Sequence, residues 1–410
     1  MGALVTTETQ RSLDGAAQVA ITGLTQVTTA VQDIHRAIAA IPFGLLKPLP
    51  GVRATAFTHD TIADGVYETV RTVMQGVGEG ARLAIKSMPP EWLPDREAPP
   101  PWSSDAISAL NGAFGDHLAA QDHPLTLGMA FAAKGRAVSL DAVDMATAYP
   151  QATGKVAIFV HGLCCNESVW DMYRADHDGQ NYAERLAREA GFTPMFVRYN
   201  SGLAMADNGA ALAQLLDGLM EVYPRRIQQL VIIGHSMGGL VARSALAQAM
   251  ADDLTWLRRT THLFCLGSPH LGAPLEAWAW QAARLLDAVP FTVPFAGWLK
   301  ARSIGVKQLR HGHIRFEDCV DEDLDGVFGT PAGPCPRPDH VRLGFIGTVL
   351  GADAYSPVSR FLGDGLVRLS SAQATSLGDV DWAAFSGRHH IRLVNDRDIY
   401  NQLLAWLQTR

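Results

Sequence analysis

At 410 residues, 48% of them hydrophobic and 18% charged, the chain has the composition of a globular protein with a sizeable core, and it is long for a single domain. Its 41 acidic residues outnumber 34 basic ones, and the net charge of −7 argues against nucleic acid as a partner while selecting no particular substrate. Met1 to Gly15 lacks the basic stretch followed by an apolar one that marks a secretory leader, and no segment offers the roughly 18 uninterrupted apolar residues of a membrane span.

The first hundred residues read as helical. Leu24, Val27, Val31, Ile34, Ile38 and Ile41 line one face of a helix ended by Pro42, and Ile62, Val66, Val70, Val73 and Val77 repeat the pattern. Two adjacent stripes predict an antiparallel pair. Their polar faces carry too few Lys and Arg for a membrane-surface helix, although peripheral membrane contact stays open. MPPEWLPDREAPPPW, residues 88–102, is a proline-rich connector. It divides an N-terminal helical extension, 1–100, from a second domain, 101–410.

From about residue 103 a helical segment leads to PLTLGMAF and GRAVSL, two strands of an antiparallel entry to a sheet. Strands are then predicted over 156–160, 192–199, 229–233, 263–266 and 341–347, with helices over 180–190 and 203–222 and a final helix from Tyr400 to Leu407. That alternation predicts right-handed βαβ units and a mostly parallel central sheet with helices on both faces. The interval 271–340 interrupts it with Trp278, Trp280, Phe291, Phe295 and Trp298. These aromatics read either as a satellite core or as a cap whose apolar underside faces an acyl chain.

QLVIIGHSMGGLVAR, residues 229–243, carries the chemistry. Leu230 to Ile233 is a short β-branched run typical of a strand buried on both faces, and a helix-forming composition begins at Leu240. A strand that turns directly into a helix strains its turn residue. Gly234 and Gly238 relieve the crowding around Ser236, the G-x-S-x-G arrangement that exposes a nucleophile at a sheet edge.

A serine hydroxyl needs a base and the base needs an acid. In this strand–elbow–helix arrangement the three run Ser, Asp, His along the chain. Of the 14 histidines, His389 and His390 lie before the last helix, and only one of two successive side chains can enter the site. His235 is a weaker base candidate, because a side chain one residue from Ser236 points away from its hydroxyl. Asp364 in FLGDGLVRLSSA follows the 341–347 strand between two glycines, with Asp353 in the same loop as its competitor. Two backbone N–H groups must face the oxyanion. Met237 supplies one and Leu163 the other, where His161-Gly162 turns the chain after the first central strand.

Five cysteines are present and none makes a C-x-x-C. Cys164 and Cys165 are adjacent and Cys265 falls in a predicted buried strand, so reduced thiols and a cytoplasmic location are expected. Cys319 and Cys335 bracket an acidic Pro/Gly-rich loop, and a disulfide between them requires export.

HGL at 161–163, GHSMGG at the elbow, LGSPHLGAP after the next strand, DGLV at 364–367 and HIRL at 390–393 together resemble bacterial triacylglycerol lipases and PGAP1-like esterases of the α/β-hydrolase group. The resemblance covers roughly 155–410 and implies an α/β-hydrolase fold with a cap insertion at about 271–340. It implies Ser236 as nucleophile, Asp364 as acid and His390 as base, His390 being preferred over His389 because HIRLVND fits the family pattern. Leu163 and Met237 would be the oxyanion donors, and His161, Gly162, His235, Pro269, His270 and Leu271 would line the substrate site. The implied reaction is two-step acyl transfer from a small-molecule or lipid ester to water, with neither metal nor organic cofactor. The same triad would serve an acyltransferase, and an interaction scaffold built on the fold is the non-catalytic alternative.

Overall fold

The computed structural model describes residues 101–123, 125–272, 303–309, 312–315, 336–356, 359, 362–378 and 380–409. In chain order the elements are α1 (Pro101–Ala120), β1 (Ala130–Ala133), β2 (Arg136–Val138), α2 (Ala142–Ala148), β3 (Lys155–Val160), α3 (Tyr182–Ala190), β4 (Thr193–Arg198), α4 (Met205–Val222), β5 (Gln229–His235) and α5 (Met237–Ala251). There follow β6 (Thr260–Leu266), α6 (Ile304–Leu309), β7 (Arg342–Val349), α7 (Leu369–Gln373), β8 (Asp381–Ser386) and α8 (Arg397–Gln408). Pro100–His117, Leu127–Gln281 and Ser303–Arg410 form one compact unit, which holds every strand described. Of the other unit, the described part is the end of α1 and a turn in which His123 N–H donates to the Leu118 carbonyl at 3.0 Å. The expected N-terminal helix pair lies outside the described residues, as do the aromatics of the expected cap, Cys319 and Cys335.

Among the described residues the sheet order is β2-β1-β4-β3-β5-β6-β7-β8. β1 pairs antiparallel with both β2 and β4, and every later pairing is parallel. The antiparallel entry and parallel centre agree with the sequence expectation. Side chains alternate faces along each strand. Val156, Ile158, Leu230, Ile232, Leu263 and Cys265 join one core with Leu212 and Leu216 of α4 and Leu240 and Val241 of α5. Ala157, Phe159, Val231, Ile233, Phe264 and Leu266 join the opposite core with Tyr182 and Leu186 of α3 and Ile399 and Leu403 of α8. Both faces of the central strands are therefore dry, which is why they read as unbroken apolar runs. Within the interval expected to form the cap, α6 contributes Val306 and Leu309 to the first of these cores.

Four elements, α2, α6, α7 and β8, have no counterpart among the predicted ones. β8, DWAAFS, is the sheet's last strand and is half-buried along most of its length, so it lacks the apolar run that identifies its neighbours. α2 has seven residues and is capped by Asp141, whose side chain accepts from the N–H groups of Val143 and Asp144.

One tyrosine ties α3 to the loop ahead of α8. The buried Tyr182 hydroxyl donates to the Asp396 carbonyl at 3.0 Å and accepts from the Asp396 N–H at 2.8 Å. Tyr182→Phe leaves both main-chain groups without that partner, and we predict a loss of about 1–3 kcal/mol in denaturant unfolding. Unchanged stability would contradict this role.

Candidate active site

β5 runs straight into α5, and the residue at the junction, Ser236, has φ 56° and ψ −124°. A non-glycine residue held at positive φ costs about 1–3 kcal/mol and persists only where its surroundings enforce it. Here the surroundings are backbone. A Cβ on Gly234 would lie 2.4 Å from the Gly239 nitrogen, and one on Gly238 would lie 2.2 Å from the Val160 carbonyl oxygen. A side chain at Gly234 would strike the first turn of α5, and one at Gly238 would push the turn off β3. Ser236 N–H donates to the Leu266 carbonyl at 2.8 Å, which fastens the elbow to the end of β6. The Ser236 hydroxyl is buried without a hydrogen-bond partner among the described residues.

Asp364 sits in the loop after β7 with glycines at φ 60° and 96° on either side. One carboxylate oxygen accepts from the N–H groups of Leu366 at 2.9 Å and Val367 at 2.8 Å. The other lies 2.7 Å from Nδ1 of His390, with both side chains buried. The backbone repeats the connection: His390 N–H donates to the Asp364 carbonyl at 3.1 Å. Such double attachment leaves the imidazole little freedom to rotate. A Cβ on Gly267, the residue after β6, would stand 3.1 Å from His390 Cε1. The carbonyl that holds Ser236 belongs to Leu266, one residue earlier. Ser236 and His390 thus both approach the end of β6 at Leu266 and Gly267.

The structure separates each candidate from its competitor. His389 is exposed, with Nε2 3.4 Å from the Tyr173 hydroxyl. Asp353 is exposed and caps its own turn by accepting from Tyr355 N–H at 2.9 Å.

The loop after β3 closes on the elbow. A Cβ on Gly162 would lie 3.1 Å from Ser236 Cβ. Neither Leu163 N–H nor Met237 N–H donates to an acceptor among the described residues. Met237 is also the first residue of α5, where the helix dipole favours negative charge. α1 braces this loop: a Cβ on Gly112 would meet Cys164 Sγ at 2.4 Å, and Cys164 N–H donates to the Ser201 hydroxyl at 3.0 Å. No sequence pattern signals that bracing, because α1 lies some fifty residues upstream of the loop it touches.

The other residues expected to line the site are mostly packed away. His161 is buried, stacks on Tyr199 with ring centroids 4.4 Å apart, and its Nδ1 donates to the Gly162 carbonyl at 2.8 Å. His235 is buried with Nε2 3.2 Å from the His390 carbonyl. His270 is buried, stacks on Phe345 at 4.0 Å and takes Arg243 at 3.0 Å on Nδ1. Pro269 is buried, and Leu271 is 50% exposed with its N–H on the Ser371 hydroxyl.

This combination of strand order, elbow and loops has a known form. The chain has the α/β-hydrolase fold. Residues 151–289, about a third of the chain, match the model of the PGAP1-like alpha/beta domain. Solved α/β-hydrolase structures similar to it include the mature Bacillus licheniformis lipase BlEst2, at 20% identity and TM-score 0.42 over 62% of this chain and 92% of the lipase. Another is the RedJ thioesterase of the Streptomyces coelicolor prodiginine pathway, at 15% identity and TM-score 0.37 over 63% of this chain and 91% of that one. A third is the Pyrococcus furiosus esterase Pf2001, at 14% identity and TM-score 0.36 over 62% of this chain and 80% of the esterase. No curated protein matches the chain. Among the described residues no helix is long and apolar enough to cross a membrane.

Burial drives three histidines of this α/β-hydrolase core away from the charged form. It lowers His161 to about 4 and takes His235 and His270 well below the ordinary imidazole value. An imidazole whose folded pKa lies below its unfolded one binds a proton on unfolding, so stability falls as pH drops. For His161 the window runs from 6.5 down to about 4, at up to about 1.4 kcal/mol per pH unit. We predict that thermal midpoints fall steeply over this window and that His161→Gln makes the fall shallower. An unchanged slope in the variant would contradict a neutral buried His161.

Proposed function

We propose that the chain is a serine hydrolase of carboxylic esters that works through an acyl-enzyme on Ser236. The observation that carries this reading is the buried 2.7 Å contact between Asp364 and His390, set beside a hydroxyl held at positive φ in a strand-to-helix turn. A structural histidine needs no carboxylate whose second oxygen is itself fixed by two amides. A general base does, because its tautomer must be set and its cation stabilised.

In this reading Nδ1–H of His390 donates to Asp364, which leaves the Nε2 lone pair to take the Ser236 proton. The hydroxyl oxygen attacks the ester carbonyl, and the oxyanion that forms is met by the N–H groups of Leu163 and Met237, each worth about 3 kcal/mol in the transition state. His390 then gives its proton to the departing alcohol. Water, deprotonated by the same imidazole, repeats the sequence and frees the acid. The half-exposed Leu271 offers an apolar contact for an acyl chain, so lipid esters fall within the substrate class. An alcohol in place of water would give acyl transfer, which product analysis with an added alcohol distinguishes.

Hydrolysis of p-nitrophenyl esters from C2 to C16 tests the proposal. We predict that Ser236→Ala abolishes turnover with the thermal midpoint kept, and that Asp364→Asn lowers kcat by about 10⁴-fold. His390→Ala should be at least as damaging, whereas His389→Ala should stay close to wild type. A wild-type protein inert toward the whole panel, or a His389 variant worse than the His390 one, would overturn the assignment.

A further inference from the structure

His235 precedes the proposed nucleophile, yet its side chain serves neither as base nor as part of an open wall. The ring is 1% exposed. Its Nε2 lies 3.2 Å from the main-chain carbonyl oxygen of His390. A carbonyl oxygen can only accept, so Nε2 carries the proton and donates, and Nδ1 is left with its lone pair. On that other side a Cβ built on Gly162 would come 3.3 Å from Nδ1. One imidazole therefore touches His390 through one nitrogen and the loop after β3 through the other. Its ring centroid stands 4.9 Å from that of His390, and Trp170 meets it edge-on at 6.4 Å.

We infer that His235 is a positioning residue, whose Nε2–H holds the main chain of His390 while its ring sets the spacing between His390 and the Gly162–Leu163 turn. The inference rests on the hydrolase reading above. Three separate bonds then fix His390. Asp364 takes the imidazole through Nδ1 and the peptide N–H through its own carbonyl, at 2.7 and 3.1 Å. His235 takes the peptide carbonyl, the remaining polar group of that residue's backbone. Burial and the neighbouring His390 both hold His235 in the neutral form, so it brings no second positive charge to an imidazole that becomes cationic during the reaction. The other roles open to it conflict with this geometry. As a base it would need a free lone pair facing Ser236, but its lone pair faces Gly162.

The test is a comparison of His235→Gln with His235→Met, two side chains of similar length of which only the first carries an amide donor. Each is purified, checked for its thermal midpoint, and assayed on a short p-nitrophenyl ester. We expect the glutamine variant to retain kcat within about threefold and the methionine variant to lose about 10- to 100-fold in kcat with KM unchanged, as a displaced catalytic group does. If the methionine variant does not fold, His235→Phe, which keeps the ring and lacks the donor, replaces it. An active wild type with donor and non-donor variants equally active, or equally impaired, overturns the role of His235 and leaves the hydrolase reading standing. An inert wild type overturns the hydrolase reading itself.

Discussion

The hydrogen bond between Asp364 and His390 is the contact around which the rest of the candidate site is organised. A carboxylate as deeply buried as Asp364 is costly unless every lone pair meets a donor. Here two amides of its own loop hold one oxygen and an imidazole meets the other. The consequence spreads outward. Asp364 must sit in a loop tight enough to fold its own N–H groups back onto it, which explains the flanking glycines at positive φ. His390 must arrive from the far end of the chain at the same height above the sheet, and the Tyr182–Asp396 clasp and the salt bridges of Arg388 with Asp396 and Asp398 fasten its loop there.

Much of this was legible in the sequence, for identifiable reasons. Leu230 to Ile233 announces a buried central strand because both its faces are dry, and Gly234 and Gly238 announce the elbow because any Cβ there would strike backbone. The glycines on both sides marked Asp364, but the order along the chain admits Asp353 as well, and it is the contact with His390 that parts them. The pattern could not show that β8 joins the sheet, because an edge strand with half-buried residues carries no apolar run. It could not choose between His389 and His390 from spacing, since adjacent residues differ only in which way the turn points them. Nor could it reveal α1 packed on Cys164, a contact between segments far apart in sequence.

The histidines around the elbow show how one residue type is divided among tasks by environment. His161 and His270 are stacked on aromatic rings and kept neutral by burial, where they fill space and satisfy a carbonyl or an arginine. His235 is neutral as well, but its donor is spent on the backbone of His390. Only His390 has a carboxylate at hydrogen-bonding distance among these four. That difference, more than position beside the serine, is what sets His390 apart from the other three.

The most direct test of this account is to treat the full chain with a fluorophosphonate and map the adduct by peptide mass spectrometry. A single adduct on the peptide that carries Ser236, forming far more slowly when Asp364 is replaced by asparagine, is the result the account predicts. An adduct at another position, or one that forms on Ser236 at the same rate with and without the Asp364 carboxylate, would contradict it.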